Sequence, residues 1–462
     1  MANIDTTGKP QEPRAPVPQL FGTDGVRSVA GRYPLDHATV RRLGGALVRA
    51  QRDGRKEPLH FLVGRDTRES GEWIEAELAH GASGEGAIFT SAGVVPTPAV
   101  AYLTRTGIYD AGVVISASHN PFEDNGIKVF SGKGEKFTER VEREVEAIIA
   151  DPAWEARGGT PAPVPHEELV AAYLDHLRAV FPEAPTLGQF RIAIDCANGA
   201  TTPVAPELFR SLGLETIVVG NQPDGRNINL KCGSTHPELL SRTVVEQGCR
   251  MGVAFDGDGD RAIFVDHLGQ VVDGDAVLLM CGRQLQTEGR LRGNAIVATV
   301  MSNIGLELAL KPLGIELVRT SVGDKYVMEE MLNRGLSLGG EQSGHIIFSD
   351  YLFTGDGLCT ALNVLRTVAL TGRTLANLAA DLTTYPQVLL NVRVREKVEL
   401  KSVPEVAAAI ARVEARVAGQ GRLLVRYSGT EPLLRVMLEG EHQDEIRGWA
   451  QEIVDVVKRV LG

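Results

Sequence analysis

The sequence predicts a multidomain α/β protein that closes with a smaller α+β domain. Its 462 residues exceed what one core holds; at roughly 100–200 residues per domain, three or four domains are expected. A unit also recurs along the chain: a short apolar strand, a polar or glycine-containing loop, then a helix. Strands alternating with helical segments are the pattern of α/β layers with mostly buried strands. Beyond Pro386 the order changes, with strands flanking one helix and a second helix ending the chain.

Taken in order, the first twenty residues carry Pro10, Pro13, Pro16 and Pro18 with scattered charge and no apolar run of a signal peptide. They predict a disordered tail. The strand His60–Asp66 leads into a helix over Glu72–His80. The small and β-branched run Ala111–Ile115 ends abruptly in hydroxyls, an imidazole and an Asn-Pro turn. That is how a buried strand delivers a reactive side chain to a loop at its carboxyl end. The next apolar stretch starts at Lys128. A charged helix over Glu139–Ile149 precedes a joint rich in Pro, Gly and Ala, Asp151–Pro165.

Arg191–Asp195 leads into a helix near Pro203–Leu212. Met251–Phe255 and Ala262–Asp266 read as strands, with a second joint near Asp266–Asp273, where a strand gives way to a turn and a new strand. Asn294–Val300 leads into a helix near Asn303–Leu310, and Tyr326–Asn333 is helix-like. After a third joint at Thr384–Pro386, strands Leu389–Arg395 and Arg422–Arg426 flank a helix over Val403–Val417. The expected division is a tail at 1–19 and domains at 20–165, 166–268, 269–385 and 386–462.

Composition narrows the function. A hydrophobic content of 43% with 23% charged residues is ordinary for a soluble globular protein. The formal net charge of −11 argues against a general nucleic-acid binder, because phosphate backbones reward the opposite sign. An anionic substrate must therefore meet a local basic pocket. Five cysteines, none in a C-x-x-C pair, predict reduced thiols in a cytoplasmic protein. No run of 18 or more apolar residues predicts a membrane span. The sequence does not report oligomeric state, and a homodimer is compatible with it.

Four stretches carry chemistry. In Asp256-Gly-Asp258-Gly-Asp260-Arg261, carboxylates at alternate positions with glycines between can turn inward on one hard cation, which suits Mg²⁺. An EF-hand would need Gly and Glu where Arg261 and His267 stand. The formal G-x-G-x-x-A at Gly257–Ala262 should open a helix, yet Ala262–Asp266 reads as strand. Asp258 and Asp260 would also oppose a pyrophosphate.

Arg426-Tyr-Ser428-Gly429-Thr430-Glu-Pro432 combines hydroxyls, a glycine and a guanidinium, which together can wrap phosphate oxygens; Arg435 adds charge. A plain hairpin turn is the alternative for Ser-Gly-Thr alone. In Gly339–His345, Glu341 and Ser343 can bond sugar hydroxyls, and His345 can carry protons or meet phosphate; a polar turn is the bland alternative. The nearby G-x-S-x-G at Gly335–Gly339 follows a helix rather than a strand, so the hydrolase elbow is rejected.

Ser116-Ala-Ser118-His-Asn-Pro-Phe-Glu-Asp-Asn-Gly-Ile-Lys128 is the fourth. His119 adjoins Ser118, so their side chains are expected to diverge on an extended backbone, with His119 orienting the loop. Phe21–Arg27 and Asp195–Gly199 add weaker turn signals.

In order, Phe21–Arg27, Ser116–Lys128, Asp256–Arg261, Gly339–His345 and Arg426–Pro432 resemble the full motif series of the α-D-phosphohexomutase superfamily, from Leu20 to the carboxyl end. Pro223–His236, and Gln342 within Gly340–His345, narrow the resemblance to members acting on glucosamine phosphates. Ser28 departs from the glycine that commonly follows Arg27 and puts the local turn in question.

The resemblance implies three related mixed-sheet α/β domains and a final α+β domain around a central cleft. It implies interconversion of glucosamine 6-phosphate and glucosamine 1-phosphate through a 1,6-bisphosphate, feeding UDP-N-acetylglucosamine and cell-wall synthesis. The same scaffold serves phosphomannomutases and phosphoglucomutases, which are the alternative. Ser118 is the expected phosphoryl carrier after an activating phosphorylation. It shares one Mg²⁺ with Asp256, Asp258 and Asp260. Lys128 and His345 are expected as general acid or base and Arg27 as charge stabiliser. Arg261, Glu341, Ser343, Arg426, Ser428, Gly429, Thr430 and Arg435 are expected to bind the sugar phosphate.

Overall fold

A computed structural model describes residues 19–22, 24–159, 164–165, 168–419, 421–428 and 432–462. The predicted tail at 1–19 therefore lies outside the described residues, apart from Gln19. So do Gly429 and Thr430 of the expected phosphate loop.

Three sheets repeat one topology. In the first, His60–Arg65 is flanked by parallel strands Ile88–Val94 and Ala111–Ile115, and the latter turns back antiparallel as Asp124–Ser131. In the second, Arg191–Asp195 lies between Glu215–Val219 and Met251–Phe255, which turns back as Ala262–Asp266. In the third, Ala295–Thr299 lies between Glu316–Thr320 and Leu338–Gly340, which turns back as Ile346–Phe348. The three sheets are mixed, as expected. Parallel strands need buried crossover helices, so they read as continuous apolar runs. Ala111–Ile115 and Met251–Phe255 are buried along their whole length.

This repetition gives the motifs a common address. The Ser118 loop, the Asp256–Arg261 loop and the Glu341–His345 loop each fill the hairpin after the third strand of their unit. All sit at carboxyl ends of parallel strands, where α/β sheets place their ligand sites.

The expected joints differ in detail. Within Asp151–Pro165, Val164–Pro165 forms a strand parallel to Ile88–Val94 and so belongs to the first sheet. Val271–Val272 pairs with Phe264 and Val265, so the second sheet runs past the expected boundary at 268. The strand expected over Leu389–Arg395 spans Gln387–Arg393, because its antiparallel partner Leu433–Glu439 sets the register. Lys128, expected to start a strand, lies inside Asp124–Ser131 opposite Val114.

One continuous apolar core joins parts of the first three units, from Leu62 and Val100 through Phe209 and Phe255 to Leu362 and Leu365. The fourth unit has its own core, built from Val388, Val406, Val436, Ile453 and neighbours under the helices Pro404–Val417 and Gln443–Leu461. Much of its bonding to the third unit is polar. Arg422 donates to Ser302 O at 3.0 Å and to Glu439 at 2.8 Å. Glu439 accepts from Ile304 N at 3.2 Å. The Asn303 amide bonds Tyr385 at both its N–H and its carbonyl, at 3.0 and 2.9 Å, and so grips the connecting segment.

Behind this junction, buried Asp275 accepts from Asn303 N at 2.8 Å, and its second oxygen has no partner. Burial pushes its pKa up to about 7. The folded form holds the proton more tightly than the unfolded chain, so this group's contribution to stability is full below pH 3.8 and is lost as pH rises through about 7. Asp275→Asn keeps an acceptor oxygen and removes the charge. Its melting temperature should exceed the parent's by a few degrees above pH ~8, with the gap shrinking in acid. Thermal scans across pH check this; an equal difference at every pH would refute it.

Candidate active site

Ser116 and Ser118 follow directly from the buried strand Ala111–Ile115, and both are fully buried. Ser118 adopts a left-handed backbone with φ of 53°. That conformation turns its hydroxyl out of the first unit and toward the second. Ser118 Oγ donates to Asp256 Oδ2 at 2.5 Å. The expected divergence of Ser118 and His119 is therefore corrected: the backbone is not extended, and His119 Nδ1 lies 3.3 Å from Ser118 Oγ and 3.1 Å from Arg261 Nη1. Burial, with the Arg261 and Arg27 charges, holds the His119 imidazole near pKa 4. Its ring is neutral and accepts from the guanidinium.

Asp256, Asp258 and Asp260 converge as the sequence suggests. One carboxylate oxygen from each lies within 4.8 Å of the others, and all three residues are buried. The second oxygens of Asp258 and Asp260 are buried without a hydrogen-bond partner, the latter 3.9 Å from Arg261 Nε. Desolvation and its two carboxylate neighbours push Asp256 well above the usual range. An all-oxygen set with orphaned acceptors and excess negative charge fits a hard divalent cation.

Lys128 Nζ supplies part of the balance, at 2.8 Å from Asp258, 3.3 Å from Asp260 and 3.2 Å from Asp24. Burial opposes its charge, yet these carboxylates hold its ammonium well above the ordinary value. It offsets negative charge in the triad. His345 meets the same cluster. It is only 3% exposed, its Nε2 accepts from Gly355 N at 3.0 Å, and its Nδ1 faces Asp260 at 3.5 Å. Burial opposes its charge, yet Asp260 raises its pKa above the ordinary imidazole value.

Arg27 pairs with Asp24 and contributes to the positive field at His119. The tight turn before it needs Gly25, with φ of 80°, because a Cβ there would lie 2.3 Å from Ile127 O. Ser28 sits in the following strand, opposite Asn125, so its departure from glycine leaves that turn intact. The third unit closes on the same place: Gly344 O accepts from Ala262 N at 3.1 Å, and Glu341 lends negative field to Arg261. Glu341 Oε1 accepts from Gly323 N at 3.3 Å, and Ser343 is exposed.

In the fourth unit, strand pairing sets Arg426 directly opposite Arg435. Like charges opposite each other destabilise a sheet unless an anion sits between them. Ser428 is buried; Lys397 donates to its carbonyl at 2.7 Å, and Arg435 lies 3.5 Å from its hydroxyl. The pair fits a phosphate.

Sequence reasoning missed several contributors. Asp24, Lys136 and Asp324 extend the ion network around Lys128. Thr97 donates to Asp258 at 2.6 Å. Lys397 carries no motif at all. Asp66 and Arg68 had a signal, a charged turn straight after an apolar strand. The rejected elbow serine, Ser337, is buried and donates to Arg290 O at 3.0 Å, in a purely structural place.

Such a site, a serine hydroxyl on a buried acidic triad shared by repeated α/β units, defines a class of phosphoryl-transfer enzyme. Known proteins agree. Residues 18–155, 171–269 and 273–385 match the alpha/beta/alpha domains I, II and III of phosphoglucomutase/phosphomannomutase, and 389–456 match its C-terminal domain. The chain belongs to this family, in the branch formed by the phosphoglucosamine mutases. It is 51% identical to the phosphoglucosamine mutase of Solibacter usitatus, over 96% of this chain and 99% of that one. It is 46% identical to the phosphoglucosamine mutase of Geobacter sp. strain M21, over 96% and 98%.

Among solved structures, a phosphoglucomutase/phosphomannomutase family protein of Burkholderia thailandensis superposes with a TM-score of 0.78 at 23% identity, covering 96% and 97% of the two chains. The Aspergillus fumigatus N-acetylphosphoglucosamine mutase, determined with GlcNAc-6P and magnesium, gives 0.66 at 19% identity and 96% coverage of each chain. These two show the shared fold. No helix among the described residues is long and apolar enough to cross a membrane.

Proposed function

We propose that this chain interconverts glucosamine 6-phosphate and glucosamine 1-phosphate, with Ser118 as the phosphoryl carrier. The observation that carries the reading is the Ser118 hydroxyl seated 2.5 Å from Asp256 at the edge of the acidic triad. Membership of the phosphoglucosamine mutase branch supplies the sugar. The product would feed UDP-N-acetylglucosamine and then peptidoglycan precursors. The five cysteines are free and buried, in keeping with a cytoplasmic enzyme.

A phosphoryl group on Ser118 brings about −1.5 to −2 charge. A Mg²⁺ ion held by Asp256, Asp258, Asp260 and the Ser118 phosphoryl would neutralise that charge and polarise the phosphorus. The chain's own residues do the rest. Arg261 is braced by His119, and with Arg27 it flanks the transferring group. Lys128 keeps the triad from overloading with negative charge, and His345 fixes Asp260.

The phosphate already on the sugar docks between Arg426 and Arg435 with the Ser428 loop, including Gly429 and Thr430. Glu341 and Ser343 hold ring hydroxyls. The free sugar hydroxyl then attacks the phosphorus, the bond to Ser118 Oγ breaks, the hydroxyl proton passes to the freed serine oxygen with Lys128 and His345 as general acid and base, and a 1,6-bisphosphate forms. The intermediate turns end over end, and its other phosphate returns to Ser118. Positioning and charge neutralisation carry the rate, since phosphoryl transfer asks for little other covalent chemistry. The buried Ser118 also keeps water from the phosphoserine.

The test is a coupled assay on glucosamine 6-phosphate beside glucose and mannose phosphates. The glucosamine substrate should lead in kcat/KM by at least about 10-fold, which corresponds to roughly 1.4 kcal/mol of transition-state discrimination. A lead for glucose or mannose phosphate would assign the chain to the phosphoglucomutase or phosphomannomutase activity instead.

A further inference from the structure

We infer that Asp66, Arg68 and Asn229 form a clamp that fixes the left-handed backbone of Ser118 and so aims its hydroxyl at the triad. The inference rests on Ser118 being the carrier. A non-glycine residue in this conformation costs about 1–2 kcal/mol and persists only where its surroundings over-determine it. Here both backbone polar groups of Ser118 are tied to side chains. Its N–H donates to Ser116 Oγ at 2.9 Å, and that hydroxyl donates to Asp66 Oδ2 at 2.5 Å. Its carbonyl accepts from Arg68 Nη2 at 3.2 Å and from Asn229 Nδ2 at 2.9 Å.

The same two donors converge again two residues on. Asn120 O accepts from Arg68 at 2.6 Å and from Asn229 at 3.2 Å. Arg68 is 1% exposed and paired with buried Asp66, so its fork is held in place. Arg68 belongs to the loop after the central strand of the first unit, Asn229 to the loop Pro223–His236 of the second. The two loops are docked independently of the site, Glu69 N donating to Gly225 O at 3.0 Å and Arg226 pairing with Glu69 at 2.7 Å, and Thr67 Oγ1 also donates to Asn198 O in the neighbouring turn of the second unit at 2.5 Å.

The metal loop closes on the same carbonyl. A Cβ on Gly257 would lie 2.5 Å from Ser118 O and 2.8 Å from Asn229 Nδ2. One carbonyl therefore registers the serine loop, the clamp and the triad to one another. Asp66, Arg68 and Asn229 act on Ser118 through its backbone and through Ser116, so they are positioning residues. The loop Pro223–His236 thereby delivers Asn229, itself left-handed at φ of 58°, to the serine loop.

The test uses Asn229→Gly, which tolerates that backbone and removes the side chain with its amide, and Arg68→Lys, which keeps charge but loses the fork. Single-turnover transfer from labelled enzyme to sugar phosphate is measured beside kcat, KM and melting temperature. Asn229→Gly should slow transfer and kcat together by about 10- to 100-fold, with KM changed less than about 3-fold. Arg68→Lys should do the same where it folds; if it does not fold, Asn229→Gly decides alone.

Wild-type transfer rates in folded Asn229→Gly overturn the clamp. So does a slowdown carried by KM, or one explained by partial unfolding. If wild-type protein never takes label on Ser118, the carrier reading falls and the clamp with it; if it does and Asn229→Gly transfers normally, the clamp alone fails.

Discussion

Ser118→Ala should give a folded protein whose mutase turnover falls by at least roughly 10⁴-fold and which takes up no phosphate label. The size of the loss follows from the chemistry. Without the carrier oxygen there is nothing to phosphorylate, and no bound water can donate a phosphoryl group to the sugar. Folding should survive, because the change removes only the hydroxyl's bond to Asp256, worth about 1.5–3 kcal/mol, and its 3.3 Å contact with His119. Ser116 cannot stand in. Its hydroxyl is spent on Asp66 and on the Ser118 N–H, away from the triad. Steady-state assays, a melting curve and a labelling experiment check the three parts. Turnover near the parent's in Ser118→Ala would remove the serine from the mechanism.

Chelation has the second large effect. With the divalent ion removed, turnover should fall by at least about 10³-fold, and added Mg²⁺ should restore it. The triad then sets its three carboxyl groups against the Lys128 ammonium and the Arg261 guanidinium, and two of its oxygens have no hydrogen-bond partner. Mg²⁺ should also raise the melting temperature, since a ligand that binds only the folded state stabilises it. Binding should weaken as pH falls, because burial and its neighbours favour the protonated form of Asp256, which must release that proton to ligate. Calorimetric scans with and without Mg²⁺ at two pH values read this apart from activity. Activity indifferent to chelator would take the three aspartates out of the metal role.

Much of this was legible in the sequence, for physical reasons. Buried parallel strands such as Ala111–Ile115 and Met251–Phe255 announce themselves as apolar runs. Carboxylates spaced by glycines in Asp256–Asp260 have few uses other than a cation. What stayed hidden depends on tertiary approach. The left-handed turn at Ser118 brought His119 back beside the hydroxyl, against the expectation for an extended chain. His345 stood out in its motif, but its burial against Asp260 comes only from the fold. Arg68 and Asn229 lie far apart in sequence and meet only when the two units dock. The common hairpin address of three motif loops was equally invisible, because the repeat lies in strand order rather than in residue identity.

Strand edges were the least legible feature. Gln387 lies in a strand because of its partner across the sheet, not because of its own side chain.

The most direct measurement is a rapid-quench experiment in which enzyme turns over labelled sugar phosphate and is digested for peptide mapping. The label should appear on Ser118, in the peptide carrying Ala111–Lys128, within the first turnover, and leave when unlabelled substrate is chased in. Label on Ser116, on a histidine, or nowhere in protein that is turning over would contradict the account.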